Sequence, residues 1–162
     1  MIEKAVELSV FLENRPGELS KLSKLLGESG VNILAMTIQD PTQYIQRLFD
    51  ARQQTLRRVA STASYGAIMK EASHLTLIRF VTSDSKISID LLKEEGYRVD
   101  TQEVILALLD HEPGRLASLT DAFAREEINI NYTYGSALAE ADKSLFVFHV
   151  SDMQKAMTAL KI

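Results

Sequence analysis

The sequence predicts an α+β fold made of two β-α-β-β-α-β units, each an antiparallel sheet with its helices on one face. Three observations lead there. The chain repeats itself at one offset; each copy alternates strand-period and helix-period segments in the same order; and the composition is that of an ordinary globular protein. Shifting the 162-residue sequence by 97 places Leu12 on Leu109, Pro16 on Pro113 and Gly17 on Gly114. It also places Leu19 on Leu116, Leu22 on Leu119, Asn32 on Asn129 and Ile33 on Ile130, all without a gap.

Each copy opens on a strand, residues 6–12 (VELSVFL) and 103–109 (EVILALL), the second apolar enough to be buried on both faces. A Pro-Gly loop follows, Glu13-Asn14-Arg15-Pro16-Gly17 and Asp110-His111-Glu112-Pro113-Gly114. Leu19, Leu22, Leu25 and Leu26 then fall at helical spacing, with Gly27 and Gly30 to end the helix; Leu116, Leu119 and Phe123 form the matching stripe. Asn32 and Asn129 open the second strands. The back halves match at a different offset, 68: Leu75–Val81 with Leu145–Val150, then Asp84 with Asp152 where helices of about 84–95 and 152–160 would start. Residues 97–102 supply a fourth strand to the first copy, whereas the second stops at Ile162, where a fourth would only begin. Two right-handed crossovers make each unit ferredoxin-like. The division expected is 1–102 and 103–162. The edge left after Ile162 leads to an expected homodimer.

The difference of 29 between the offsets is an insert in the first copy, between its second and third strands. Residues 41–73 have no counterpart in the second copy. Ile45, Leu48, Phe49, Leu56, Val59, Ala60 and Ala63 recur there at helical spacing opposite Arg47, Asp50, Arg57 and Arg58. An amphipathic helix of roughly five turns is expected. Burying its stripe in the fold or a dimer is favoured over docking to a regulated protein or an anionic ligand.

Composition excludes several classes. Zero Cys excludes a disulfide framework, thiol catalysis and thiolate metal sites. No metal ligand cluster is expected, since His74, His111 and His149 are far apart in sequence. No run approaches the roughly 20 apolar residues of a membrane span, and Met1-Ile2-Glu3-Lys4 does not read as a signal peptide, so a cytoplasmic location is expected. The net charge is −4, with only residues 41–73 net basic, a poor match to nucleic acid. No phosphate loop, dinucleotide fingerprint or nucleophile elbow is present, so neither a cofactor nor a catalytic residue is expected.

A first strand, a Pro-Gly loop, a Leu-rich helix and Val31-Asn32-Ile33 opening the next strand together resemble the ACT domain, a family of small-molecule-sensing regulatory modules, usually for amino acids. The first copy is similar to the serine-sensing ACT domain of phosphoglycerate dehydrogenases, although Leu12 stands where those relatives carry a His. The resemblance implies a non-catalytic module that binds a small ligand, an amino acid, at domain interfaces. It places the ligand against Leu12, Asn14, Gly17, Glu18, Leu19, Asn32 and Ile33, and in the second copy against His111, Gly114, Arg115, Leu116 and Asn129. Asn14 and Asn32 would face each other across an interface. The physical chemistry agrees: first-turn amides suit a carboxylate, and glycine admits close approach. The first copy is favoured, because His111 replaces Asn14 in the second. Simpler readings stand beside this one. Pro-Gly is also a tight turn, Asn also satisfies backbone at a strand start, and His111 also suits a solvated loop. The alternative function is a regulatory subunit docking on an amino-acid biosynthetic enzyme, like the small subunit of acetolactate synthase. That subunit lacks a second Pro-Gly loop, whereas this chain has Glu112-Pro113-Gly114-Arg115-Leu116. An enzyme of the chorismate mutase kind, suggested by Arg47, Arg52, Arg57 and Arg58, needs a three-helix fold that 33 residues cannot supply.

Overall fold

Six strands and four helices follow the predicted order in a computed structural model that describes residues 1–40, 42, 73–138 and 142–160. The amphipathic helix expected over 41–73 lies outside the described residues. The elements are β1 (Ile2–Glu13), α1 (Glu18–Glu28), β2 (Ile33–Gln39), β3 (Leu75–Thr82) and α2 (Ser85–Glu94), then β4 (Val99–Asp110), α3 (Arg115–Arg125), β5 (Ile130–Leu138), β6 (Lys143–Val150) and α4 (Met153–Ala159). The repeat is kept to the residue: β1 and β4 are both 12-residue strands 97 apart, and α1 and α3 are both 11-residue helices at the same offset.

Local chemistry fixes the helix ends. Asp84 and Asp152, at the predicted starts, cap α2 and α4 by accepting from the amides of Ile87 and Lys155 at 3.0 and 2.9 Å. The α1 helix ends at Gly30, φ 73°, and the Val31 amide reaches back to the Leu26 carbonyl at 3.0 Å. The same turn closes α3, with Ile128 donating to Phe123 at 2.9 Å. The buried side of α1, Leu22 and Leu26, packs on Leu8, Val10, Leu12, Ile78 and Phe80. In the second unit Leu119 and Phe123 pack on Ile105, Ala107, Phe148 and Val150.

All strands join one antiparallel sheet in the order β2-β3-β1-β4-β6-β5. The two units do not have separate sheets, because β1 and β4 each serve both. The stretches 97–102 and 103–109, read as two strands, fall from residue 99 onward in one unbroken strand, β4; its beginning is the fourth strand of unit one and its end the first strand of unit two. The place expected to stay open beside the second unit is filled by the same chain: Ile2, Glu3, Lys4 and Ala5 pair with Ala107, Leu106, Ile105 and Val104. That side of β4 is thus paired within the chain and leaves no edge there for a second copy to cover. The boundary drawn between residues 102 and 103 falls inside this shared strand.

The outer strands β2 and β5, at opposite ends of that order, approach each other, so the sheet is rolled. Its helix-free face lies inside the roll and forms a third core of Ala35, Val81, Val104, Leu106, Leu145 and Val147. One polar cluster sits in that roll. Glu7 is fully buried, and its two carboxylate oxygens accept from the hydroxyls of Tyr132 and Tyr134 at 2.5 and 2.8 Å. Arg79 lies 4.0 Å from the same carboxylate, with its guanidinium 4.6 Å from the Tyr132 ring centre. A buried carboxylate is tolerated only when its lone pairs are occupied. Here the two hydroxyls come from the opposite unit, so the cluster ties the two together.

Removing the carboxylate takes the acceptor from two part-buried hydroxyls, of which Tyr132 keeps another in Gln102 Oε1 at 3.1 Å, so Glu7→Ala should cost about 2–4 kcal/mol by urea denaturation; a loss within experimental error would show that the cluster does not hold the units. A second expectation concerns pH. Burial, then the hydrogen bond and charge of Glu7, push the Tyr132 hydroxyl well above its ordinary range; burial and the Glu7 charge do the same to Tyr134. The folded chain therefore holds these protons more tightly than the unfolded one. That stability is complete below about pH 10, the unfolded tyrosine value, and is lost as pH rises beyond it. In an ultraviolet titration of the five tyrosines, these two should ionise only as the chain unfolds.

Candidate functional site

Each Pro-Gly loop is built twice in the same way. The amides of Asn14 and His111 donate to the carbonyls of His74 and Asp142 at 2.8 and 2.9 Å, and those of Arg15 and Glu112 to Glu13 and Asp110 at 2.8 Å. Gly17 and Gly114 follow with φ of 95° and 88°, the left-handed region that glycine adopts without cost, and each is the cap position of its helix. Neither α1 nor α3 has a side-chain cap, whereas α2 and α4 are each capped by an aspartate. The two helices that begin at Pro-Gly loops thus start without a side-chain acceptor for their first amides.

The side chains around the loops differ. In the first loop the Asn14 side-chain amide donates to the Ser73 carbonyl at 3.4 Å. Glu18 is bound by Arg15 and Lys21, both at 2.8 Å. The Lys21 hydrogen bond, with help from Arg15, holds the Glu18 carboxyl below its usual range against a smaller opposing effect of burial. In the second loop His111 Nδ1 lies 2.6 Å from Ser144 Oγ, and Arg115 Nε donates to Glu112 at 3.0 Å. Asp110 pairs with Lys143 and, at 3.5 Å, with Arg115. The Lys143 hydrogen bond is the main cause that lowers the Asp110 carboxyl. Asp110, His111, Arg115, Leu116, Ser144 and Phe146 line most of a cavity of about 340 Å³ at this loop, a size at the lower end of small-molecule sites.

The sequence-predicted residues divide into two places. Asn14, Gly17 and Glu18 cluster at the end of β1 with Leu19 partly buried beside them, while Leu12 is 3% exposed and points into the core. Asn32 and Ile33 sit at the other end of the unit: β1 ends opposite Leu75, and β2 begins opposite Thr82, seven residues further along β3, or roughly 23 Å. Within one chain Asn14 and Asn32 are therefore not brought together. The Asn32 backbone exchanges hydrogen bonds with Ser83 at 2.9 and 3.0 Å, Ile33 packs on the first core, and Asn129 is held by Ser151 at the same distances. The Asn129 side chain donates to Asn131. In the second copy His111, Gly114, Arg115 and Leu116 do share one loop, and Arg115 and Leu116 line its cavity with His111. Asp110, Ser144 and Phe146 were not singled out in the sequence. Ser144 and Phe146 lie on β6, and only the register of that strand against β4 brings them to the loop.

Among the described residues no cluster of His, Asp and Glu could hold a metal ion, and no helix is long and apolar enough to cross a membrane. The ACT domain family matches residues 6–72, and the family described as an ACT domain pair matches residues 51–161. The chain belongs to the ACT domain pair family. This ACT pair is therefore a ligand-binding regulatory module. No curated protein matches it. Among solved structures it is similar to protein BT0572 from Bacteroides thetaiotaomicron, with a TM-score of 0.71 at 23% identity over 99% of this chain and 88% of that one. It is also similar to the regulatory subunit of aspartate kinase from Thermus thermophilus, with a TM-score of 0.57 at 13% identity over 99% and 90% of the two chains. The regulatory subunit of aspartate kinase from Thermus flavus gives 0.52 at 13% identity over 99% and 94%. At these identities the likeness is one of fold.

The loop glycines offer a direct test. A Cβ at Gly17 or Gly114 would meet nothing within 4 Å, so the cost of a side chain there is backbone strain alone. Gly17→Ala and Gly114→Ala should each lose about 1–2 kcal/mol in urea denaturation with the helix content unchanged in circular dichroism. A loss of helix would show that the loops depend on something other than the left-handed turn.

Proposed function

We propose that this ACT pair is a non-catalytic cytoplasmic sensor that binds an amino acid at a Pro-Gly loop and regulates an enzyme of amino-acid biosynthesis. The observation that supports the reading is the contrast between helix starts. Aspartates cap the two helices away from the loops, and no side chain caps the two helices at them. A ligand carboxylate suits such amides. The aspartate kinase likenesses are regulatory subunits, which supports a regulated enzyme as partner. Serine itself is disfavoured: Leu12, at the position of the His in the serine-sensing relatives, is packed in the core. Pairing with a second copy is supported by the outer strand β2, which exposes Leu34, Met36 and Ile38.

A thermal-shift screen of the twenty amino acids and common biosynthetic end-products tests this. A ligand at a hundred times its Kd stabilises the native state by about 2.7 kcal/mol, a shift of several degrees. One amino acid or a close chemical group of them should produce it. A flat response across the whole set overturns the reading.

A further inference from the structure

The two loops use the same ion pairs with the partners exchanged. Position 15 is arginine and position 18 glutamate; their counterparts are Glu112 and Arg115. In both loops the arginine meets the acid that ends the strand, Arg15 with Glu13 at 2.8 Å and Arg115 with Asp110 at 3.5 Å. For an incoming carboxylate the result is opposite. The Glu18 side chain is only 11% exposed and fixed by two cations, so the first loop already holds a carboxylate of its own. The Arg115 side chain is 52% exposed, and its partners Glu112 and Asp110 are 63% and 46% exposed. Such pairs contribute little and exchange readily.

The other wall of the second-loop cavity is apolar, and a glycine shapes it. Gly135 on β5 stands opposite Phe146 on β6. A Cβ there would lie 2.6 Å from the Phe146 ring and 2.6 Å from the Leu145 carbonyl oxygen, so the ring lies across the glycine. The corresponding pair in the first unit is Ile38 opposite Ile78. The second unit has moved side-chain volume from the outer strand to its neighbour, and the moved ring faces the cavity.

Resting on the amino-acid reading above, we propose that the second loop is the binding loop, that its cavity takes a small zwitterion with an apolar side chain, and that Phe146, seated on Gly135, sets the size of that side chain. Arg115 takes the carboxylate, and Asp110 and Glu112, freed from it, offer acceptors to the ammonium. This reverses the preference for the first loop that Asn14 alone suggested.

Isothermal calorimetry on the full chain tests the proposal, with valine, leucine, isoleucine, methionine and phenylalanine set against serine, aspartate and lysine. At least one apolar amino acid should bind, and the polar three should bind more weakly. Arg115→Gln should weaken binding roughly ten- to a hundred-fold, and Asn14→Ala should leave it unchanged. Phe146→Leu should shift the ranking toward bulkier side chains by roughly tenfold, with Phe146→Met as the second variant if the first does not fold. An unchanged ranking in a folded Phe146 variant overturns the selecting role. Loss of affinity in Asn14→Ala with none in Arg115→Gln places the ligand at the first loop and overturns the choice of site. If no amino acid binds the unmodified chain, the amino-acid reading fails and this proposal with it; binding of a polar amino acid alone overturns only the proposal.

Discussion

Between the two halves of the rolled sheet lies a carboxylate shut off from water. Glu7 comes from β1, and the tyrosine hydroxyls that complete it come from β5, more than a hundred residues later. The apolar residues around it, Val81, Val104 and Val147 among them, would favour association of the two halves in many orientations. A buried acceptor with two donors tolerates few of them, because any slip leaves an unpaired polar group in a dry interior. Arg79 adds a cation facing both the carboxylate and the Tyr132 ring, and its far nitrogen is 3.4 Å from Gln39 at the end of β2. The relative placement of the two Pro-Gly loops follows from this contact and from the strands that pass beneath it.

Those strands make the pair one body. A lone ferredoxin-like unit of this size is marginal. Here neither unit stands alone, since β1 and β4 run antiparallel along their length and each completes the other's sheet. Because they are antiparallel, their C-terminal ends point in opposite directions, and so do the loops that follow them. Two loops related by the repeat are thus carried to opposite ends of the sheet, each with a different charge arrangement.

Much of this was readable from the residues. Pro16-Gly17 and Pro113-Gly114 marked both loops, and Asp84 and Asp152 marked two helix starts through their capping chemistry. The replacement of Asn14 by His111 showed in the aligned copies that the two loops differ. Strand sharing was not, because Ile2–Ala5 carries Glu3 and Lys4 and lacks the apolar alternation of a half-buried strand; its partner is set by non-local pairing. Glu7 is one polar residue of the strand 6–12 (VELSVFL), and such a residue faces solvent unless another part of the sheet covers that face. The pairing of Gly135 with Phe146 needed the register of β5 on β6, including the irregularity between Ile130 and Tyr132.

Strand sharing also sets the order in which the chain can be finished during synthesis. The first unit cannot complete its sheet until the beginning of β4 has been made, and the insert lengthens that wait. Until then β1 presents an unpaired edge along its whole length on one side. Once β4 pairs with it, the second unit has a strand to build on, with β6 beside β4 and β5 beyond β6. The buried carboxylate lacks its tyrosine donors until β5, the outermost strand of the second unit, has joined the sheet. The polar contact that fixes the two halves closes only once both ends of the one sheet are in place.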